Sequence, residues 1–492
     1  MTHFNWLLDG SIVGVYLLVT MAAGLWVRRY VGGVEDFLVA GREMDMYLGI
    51  ASLAATEFGI VTCMYTAQNG YKFGFAGATP GILMAAAMLF VGLTGFCIKP
   101  LRDSGVMTIP ELIEKQFGPN IRWAAGVVIV LGGLLNMGVF LRVGGQFLVL
   151  VSGMDVKYLE IMMTALLIGV AAYTILGGML SVLVTDFLQF VVMSVGLIVV
   201  TVLILMNVGW EKMVTTVETQ YGAGGFNPFV NPDMGWQYVL FNALLNTAAV
   251  LTWQTTIARV LAAKNTETGR KIYTRTSFFF VCRFLIPGLW GIAALATLGP
   301  VAAGVDSLEM MPRYLGLVVP AGVMGLMIAA MLAADMSTDS SYMLTWGSVI
   351  YNDIMAPFRR GREWSEKKGL LINRFIVAGI GVFLLFYGLW YKPEGALWDY
   401  LTLTGTIYLA SISIILIACC YWPRANSWGA AAAIVISAAL PIGFLVMQKN
   451  STTRDLAQSI GPHYAGIAAF VGSALAMVLG SLLKPQVREV RI

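Results

Sequence analysis

Charge is scarce in this chain: Asp, Glu, Lys and Arg make up 12% of its 492 residues, against about 25% in an average soluble domain. Its 27 Asp and Glu cannot solvate the outside of a 53.3 kDa globule, so a soluble protein is excluded. A hydrophobic share of 58% excludes a disordered chain. Five cysteines with no CxxC pair exclude a disulfide scaffold and read as reduced packing thiols. Histidine occurs only at His3 and His463, with no nucleophile motif nearby, which argues against an enzyme. No GxxxxGK[ST] loop is present, so no ATP-driven pump is indicated. A pore-lining repeat or ring-forming filter, as a channel would show, is missing. So is a signalling domain, as a membrane sensor would need, the tail before Ile492 being a few residues long.

What the chain has is apolar length, with a mean hydropathy of +0.78. A helix crosses a hydrocarbon core of ~30 Å with about 20 apolar residues. About 13 such runs occur, at roughly 8–28, 46–70, 74–98, 121–151, 158–176, 179–209, 236–260, 272–300, 320–350, 370–390, 396–421, 427–447 and 463–483. Their lengths are helical, not those of alternating barrel strands, so the fold class is an all-α membrane protein of a single polytopic domain. The first run lacks a basic leader and a small-residue cleavage site, and reads as a retained helix. With the N-terminus outside and the C-terminus cytoplasmic, most of the 31 Lys and Arg fall inside. Arg28, Arg29, Lys99, Arg102, Arg122, Arg259, Lys264, Arg270, Arg359, Arg360, Arg362, Arg424, Arg488 and Arg491 are among them. Orientation in a plasma (inner) membrane explains these basic loops better than nucleic-acid binding does. The segment Trp210 to Trp236 is the one long outside connection. Met107 to Gly118 reads as a short amphipathic helix capped by Thr108 and stopped by Gly118.

Ionisable groups within spans cost about 2.5–3.5 kcal/mol each on insertion scales and mark candidate sites. They are Glu57, Arg142, Asp186, Arg283, Asp335 and Asp339. Ala334, Ser337, Thr338, Ser341, Thr345 and Ser348 recur at helical spacing and share one face, as a packing seam or as hard oxygen ligands for a cation. Two Asp flank that stripe. An alkali ion needs a second segment, and Ala54 to Thr62, with a glycine and Glu57 in mid-span, reads as a broken helix whose freed carbonyls could supply it. Asp186 could serve a second cation, a proton or a structural ion pair. Arg142 could snorkel or meet a carboxylate. Arg259 reads as the inner end of its span.

Taken in order, Gly41-Arg42, TIPELIEKQFG, GGMLSVLVTDFLQ, ARVLAAKN and ADMSTDSSYMLTWGSVIYNDI resemble the sodium/solute symporter family over about residues 35 to 425. The resemblance implies a LeuT-type fold of two inverted five-helix repeats, each with a broken first helix. The pre-core helix would be 8–28, repeat one 46–209, repeat two 236–421 and two C-terminal helices 427–483. By match to the family, Ala55, Phe58 and Ala334 would offer carbonyls, and Ser337 and Thr338 hydroxyls, to the main Na⁺. Some members bind a second Na⁺, for which Asp186, Ser340 and Ser341 match. Glu57, Thr62, Asn136 and Gln254 match substrate-facing positions. The expectation is Na⁺-coupled symport of a small organic solute (an amino acid or other zwitterion, a carboxylate or a sugar), without an organic cofactor. The rival on the same fold couples to H⁺ through Glu57, Asp335 or Asp339.

Overall fold

Helices follow the apolar runs, and their interruptions are what position the site. The computed structural model describes residues 3–301, 305–359, 364–392 and 396–485; Arg360, Arg362, Arg488 and Arg491 lie outside the described residues. Among the described residues there are helices and turns and no strand. The longer elements, in chain order, are α1 (Leu8–Val27), α2 (Met46–Glu57), α3 (Ile60–Phe73), α4 (Thr79–Thr94), α5 (Ile109–Phe117), α6 (Pro119–Met137), α7 (Phe140–Ser152), α8 (Leu159–Val208) and α9 (Trp210–Tyr221). They continue with α10 (Gly235–Thr252), α11 (Gln254–Ala262), α12 (Thr266–Leu298), α13 (Met310–Val318), α14 (Val323–Val349), α15 (Glu366–Trp390), α16 (Leu397–Tyr421), α17 (Ser427–Lys449) and α18 (Arg454–Leu483).

Nine helical stretches among the described residues are long and apolar enough to cross a membrane. This integral membrane protein meets lipid with helices such as α15, which exposes Leu371, Phe375, Val382 and Phe386 along one side. Of the remaining runs, α2–α3 contributes only its second half, within the stretch Ile60–Thr94, and α10–α11 and α14 fall short. The α2–α3 and α10–α11 runs are broken, the first at Phe58–Gly59 and the second at Trp253. α14 is polar because it lies at the centre: Met327 to Val349 are all buried, so its carboxylates and hydroxyls face protein and not lipid. Asp9, buried on α1, accepts hydrogen bonds from Gly322 N (2.7 Å) and Gly325 N (2.8 Å), which places a carboxylate on the positive end of α14. Arg122 and Thr108 hold its far end, both donating to Asp353 Oδ1, at 2.7 and 3.0 Å.

The runs at 158–176 and 179–209 form one helical stretch, α8, bent at Gly178 (φ 53°, ψ −147°). A side chain at Gly178 would also stand 2.6 Å from the Phe37 carbonyl, so both the backbone and the space require glycine. α5 starts at Thr108, whose Oγ1 accepts from Glu111 N (3.4 Å), and stops at Gly118, as its sequence predicts. The long connection after Trp210 differs from expectation: its first half is helix α9. Met213 and Val217, one turn apart, are buried, Val217 against Gly74, and that pair is a short amphipathic signal inside a polar stretch. The five cysteines are unbridged.

α3 and α12 cross with backbones in contact. A Cβ on Gly291 would lie 1.9 Å from the Ala67 carbonyl oxygen, and one on Gly70 2.1 Å from the Gly288 oxygen. Small residues allow this approach in a bilayer, where no hydrophobic effect drives helices together. Gly291→Ala is therefore expected to destabilise the fold by at least about 1–3 kcal/mol, the usual overpacking range. Thermal unfolding in detergent measures it; an unchanged Tm would mean that the crossing is looser than described.

Candidate functional site

α2 ends because Phe58 (φ −118°, ψ 88°) and Gly59 (φ −98°, ψ 172°) leave the helical region, and α3 restarts at Ile60. The chain end of a half-helix carries freed carbonyls and partial negative charge. Thr338 of α14 packs directly into this break: a Cβ on Gly59 would be 2.8 Å from its Oγ1. That hydroxyl donates between Thr56 O and Ala334 O, both at 2.9 Å. Ser337 Oγ donates to Asp186 Oδ1 at 2.7 Å. Both hydroxyl protons are thus committed, which leaves the oxygen lone pairs as acceptors of the kind a hard cation takes. Ala55, Phe58, Ala334, Ser337 and Thr338 are all buried around the junction of α2 with α14.

The second break faces the first. Glu57 closes α2, and its Oε1 accepts from Thr255 Oγ1 (3.1 Å) and Thr256 Oγ1 (2.8 Å) in the first turn of α11. An anion therefore sits at a helix N-terminus, where dipole and hydroxyls both favour it. Arg283 of α12 completes the pairing at 3.3 Å from Glu57 Oε2 and also donates to Thr62 Oγ1 (3.3 Å) and Tyr65 OH (3.1 Å). One guanidinium thus ties both halves of the broken helix.

Between these elements lies a cavity of about 90 Å³, whose lining includes Glu57, Thr62, Asn136, Arg283, Asp335 and Thr338. Its walls include the aromatic side chains Tyr65, Phe140, Trp253, Phe284, Tyr342 and Trp398. Trp253, the break residue itself, donates from Nε1 to Tyr342 OH at 3.1 Å. Of the four substrate-facing positions expected from sequence, Glu57, Thr62 and Asn136 line this cavity. Gln254 is buried but does not, because the break turns Trp253 into the cavity instead. The aromatic walls were missed, since single aromatics in apolar helices carry no positional signal without a partner segment.

Two arginines correct the sequence reading. Arg259 is not at an inner loop: it is fully buried, with Nη2 3.0 Å from Asp186 Oδ2, 2.6 Å from Thr56 Oγ1 and 2.5 Å from Ser341 Oγ. Its Nε donates to Ser52 Oγ at 3.0 Å. The carboxylate and one hydroxyl matched to a second Na⁺ are therefore already held by a cation of the protein. Ser340, the third, donates to the Ser337 carbonyl at 3.2 Å. Among the described residues Arg142 forms no direct ion pair; it donates to Gly388 O (2.6 Å) and Leu389 O (2.7 Å) at the end of α15, a C-terminal cap.

Broken helices that meet at a central cavity, beside oxygens suited to an alkali ion, define a secondary transporter. The chain belongs to the sodium:solute symporter family, whose profile matches residues 37–437. It is 26% identical to sodium/glucose cotransporter 1 of Oryctolagus cuniculus over 550 aligned positions, covering 98% of this chain and 80% of that one. It is 23% identical to the osmoregulated proline transporter OpuE of Bacillus subtilis (strain 168), covering 96% and 94%. The fold is shared with a Na⁺-coupled sialic acid symporter (TM-score 0.79, 18% identity, 99% of both chains) and with MhsT in complex with L-phenylalanine (TM-score 0.53, 14% identity, 89% and 98%). The protein is thus a Na⁺-coupled transporter and not an enzyme, and membership of this family disfavours the proton-coupled alternative.

Proposed function

We propose that the protein carries a small organic solute into the cell with one Na⁺ per cycle, by alternating access around the cavity between the two broken helices. The observation that carries this reading is the seating of Thr338 in the break at Phe58–Gly59, with Ser337 beside it and both hydroxyl protons already donated. Ala55, Phe58, Ala334, Ser337 and Thr338 bind the ion, and Glu57, Thr62 and Asn136 form part of the solute site. The runs 46–209 and 236–421 are the two inverted repeats of a bundle of about 13 spans, with α1 before them and 427–483 after. The N-terminus is outside and the C-terminus cytoplasmic.

Arg259 supports a stoichiometry of one. A guanidinium against Asp186 and Ser341 supplies permanently the charge that a second Na⁺ would bring. Ion binding at the break fixes α2 against α14 and so raises solute affinity, and solute raises ion affinity by the same factor. One charge moving through 100 mV supplies about 2.3 kcal/mol. A tenfold Na⁺ gradient adds about 1.4 kcal/mol, and the two together support roughly several-hundred-fold accumulation.

The test is a thermal-shift screen of the purified protein in Na⁺ and in K⁺, followed by uptake into proteoliposomes. Na⁺ is expected to raise Tm, and Ser337→Ala with Thr338→Ala to abolish that rise. Uptake is expected to rise with Na⁺ with a Hill coefficient of about 1. Equal stabilisation by K⁺, or a Hill coefficient near 2 in the unmodified protein, would remove the sodium site or the one-ion stoichiometry respectively.

A further inference from the structure

The cavity holds three ionisable side chains, and only two of them are matched. Glu57 and Arg283 pair with each other. Asp335 is 1% exposed, lines the cavity, and its Oδ2 has no hydrogen-bond partner. One turn on, Asp339 is equally buried, and neither of its carboxyl oxygens has a partner. An isolated buried carboxylate is costly and calls for a counter-charge. The four groups nearest in kind are spent elsewhere: Arg259 on Asp186, Arg283 on Glu57, Arg142 on the end of α15, and Arg122 on Asp353.

The surroundings of Asp335 indicate what kind of cation would fit. Asp335, Asp339 and Tyr342 share one face of α14 at i, i+4 and i+7. That face runs along α7. A Cβ on Gly144 would lie 3.0 Å from Asp335 Oδ2, and the ring of Phe140, one turn earlier on α7, sits 5.4 Å from that of Tyr342. Trp253 closes the same corner, edge-on to Tyr342 at 5.8 Å. A carboxylate beside aromatic rings is a receptor for an ammonium group, which gains charge pairing from one and cation–π attraction from the others.

The same walls suit a sugar poorly. Polar side chains that face the cavity already donate within the protein: Asn136 to Leu401 O, Asn246 to Asn242 O, Thr402 to Asp399 O and Thr338 to Thr56 O. Their oxygens can still accept, but the donors so committed are not spare for the ring and hydroxyl oxygens of a sugar. Of the two carboxylates in the lining, Glu57 is paired, and Asp335 stands with an unpartnered oxygen beside aromatic faces.

We propose that the transported solute carries a positively charged nitrogen, an amine or a quaternary ammonium, which docks against Asp335 between Phe140, Tyr342 and Trp253. The inference rests on the reading of this cavity as the solute site. Asp335 is the specificity residue, while Asp339, which does not line the cavity, is not.

Ligand-induced thermal shifts test it, measured on the full-length protein in Na⁺ and in K⁺. The probes are choline, glycine betaine, L-proline and putrescine for charged nitrogen, D-glucose for a neutral solute and L-lactate for an anion. At least one nitrogen probe is expected to stabilise, and glucose and lactate are not. Asp335→Asn is expected to weaken that probe at least about a hundredfold, the range for truncating one partner of a buried charge pair. The variant is expected to keep or raise the Tm of the free protein, since it removes an unmatched buried charge without changing shape. Asp339→Asn is expected to keep probe binding within a few-fold. The proposal is overturned if only glucose or lactate stabilises, if no probe does, or if Asp335→Asn binds the nitrogen probe as tightly as before. It is also overturned if Asp335→Asn lowers the Na⁺ response of the solute-free protein, which would make Asp335 an ion ligand. A nitrogen probe that stabilises equally in K⁺ and is lost in Asp335→Asn would instead uphold the docking site and defeat the sodium coupling.

Discussion

Arg259→Ala is expected to destabilise the protein by about 3–5 kcal/mol, the cost of leaving a buried carboxylate without its cation. Asp186 is fully buried and keeps only hydroxyl donors in that variant, from Ser52 at 2.6 Å, Ser337 at 2.7 Å and Thr56 at 3.4 Å. Hydroxyls orient a carboxylate but do not neutralise it. Neither Arg259 nor Asp186 lines the solute cavity, so cavity water does not replace the lost guanidinium. The double variant Arg259→Ala/Asp186→Asn removes the orphaned charge and is expected to regain part of the loss, which a double-mutant cycle reads directly. A second result separates structure from ion chemistry. With the guanidinium gone, Asp186 and Ser341 are released, and with Ser340 they restore the donor set matched to a second Na⁺. Stability of Arg259→Ala is therefore expected to depend more steeply on Na⁺ than that of the parent, and the double variant to lose that dependence. A single variant with parental Tm would mean that the pair contributes nothing.

How much of this was legible beforehand divides along one physical line. A helix that must fill a bilayer writes its length in apolar residues, so the runs around α1, α15, α16 and α17 were plain. The hydroxyl stripe of α14 was legible too, because helical spacing puts Ser337 and Thr338 on one face whatever surrounds them. The broken α2 showed itself through Gly59 and Glu57 in mid-run. Charge pairing did not show, because it joins residues far apart in sequence. Arg259 looked like an ordinary inner-end arginine after a polar stretch, and only its meeting with Asp186, 73 residues away, makes it a core residue. Arg283 was visible as an intramembrane charge, but its match with Glu57 across 226 residues was not. The aromatic walls failed for the same reason: Phe140 and Tyr342 come from two different helices and Trp253 from a helix break, and none is unusual in its own segment.

Arg283→Lys is expected to separate folding from transport at the other buried pair. Lysine keeps the charge, so Glu57 remains matched, and the hydroxyls of Thr255 and Thr256 still hold its other oxygen. What lysine lacks is the planar fork that lets one side chain reach Glu57, Thr62 and Tyr65 together. Glu57 ends α2, whereas Thr62 and Tyr65 begin α3, so the fork sets the angle between the two half-helices. Arg283 also lines the cavity, and water there solvates what the shorter contact leaves unmet. A Tm loss of about 1–3 kcal/mol equivalent is expected, the cost of an unmade buried hydrogen bond, and so less than for Arg259→Ala. Na⁺-driven uptake is expected to fall far more, at least about a hundredfold, because a small misplacement of the site is enough for a loss of that size. Arg283→Ala should lose the same transport and more stability, since Glu57 is then uncompensated. Proteoliposome uptake alongside Tm distinguishes the cases: if Arg283→Lys transports normally, the guanidinium is only a counter-charge and the angle at Phe58–Gly59 is held by other contacts.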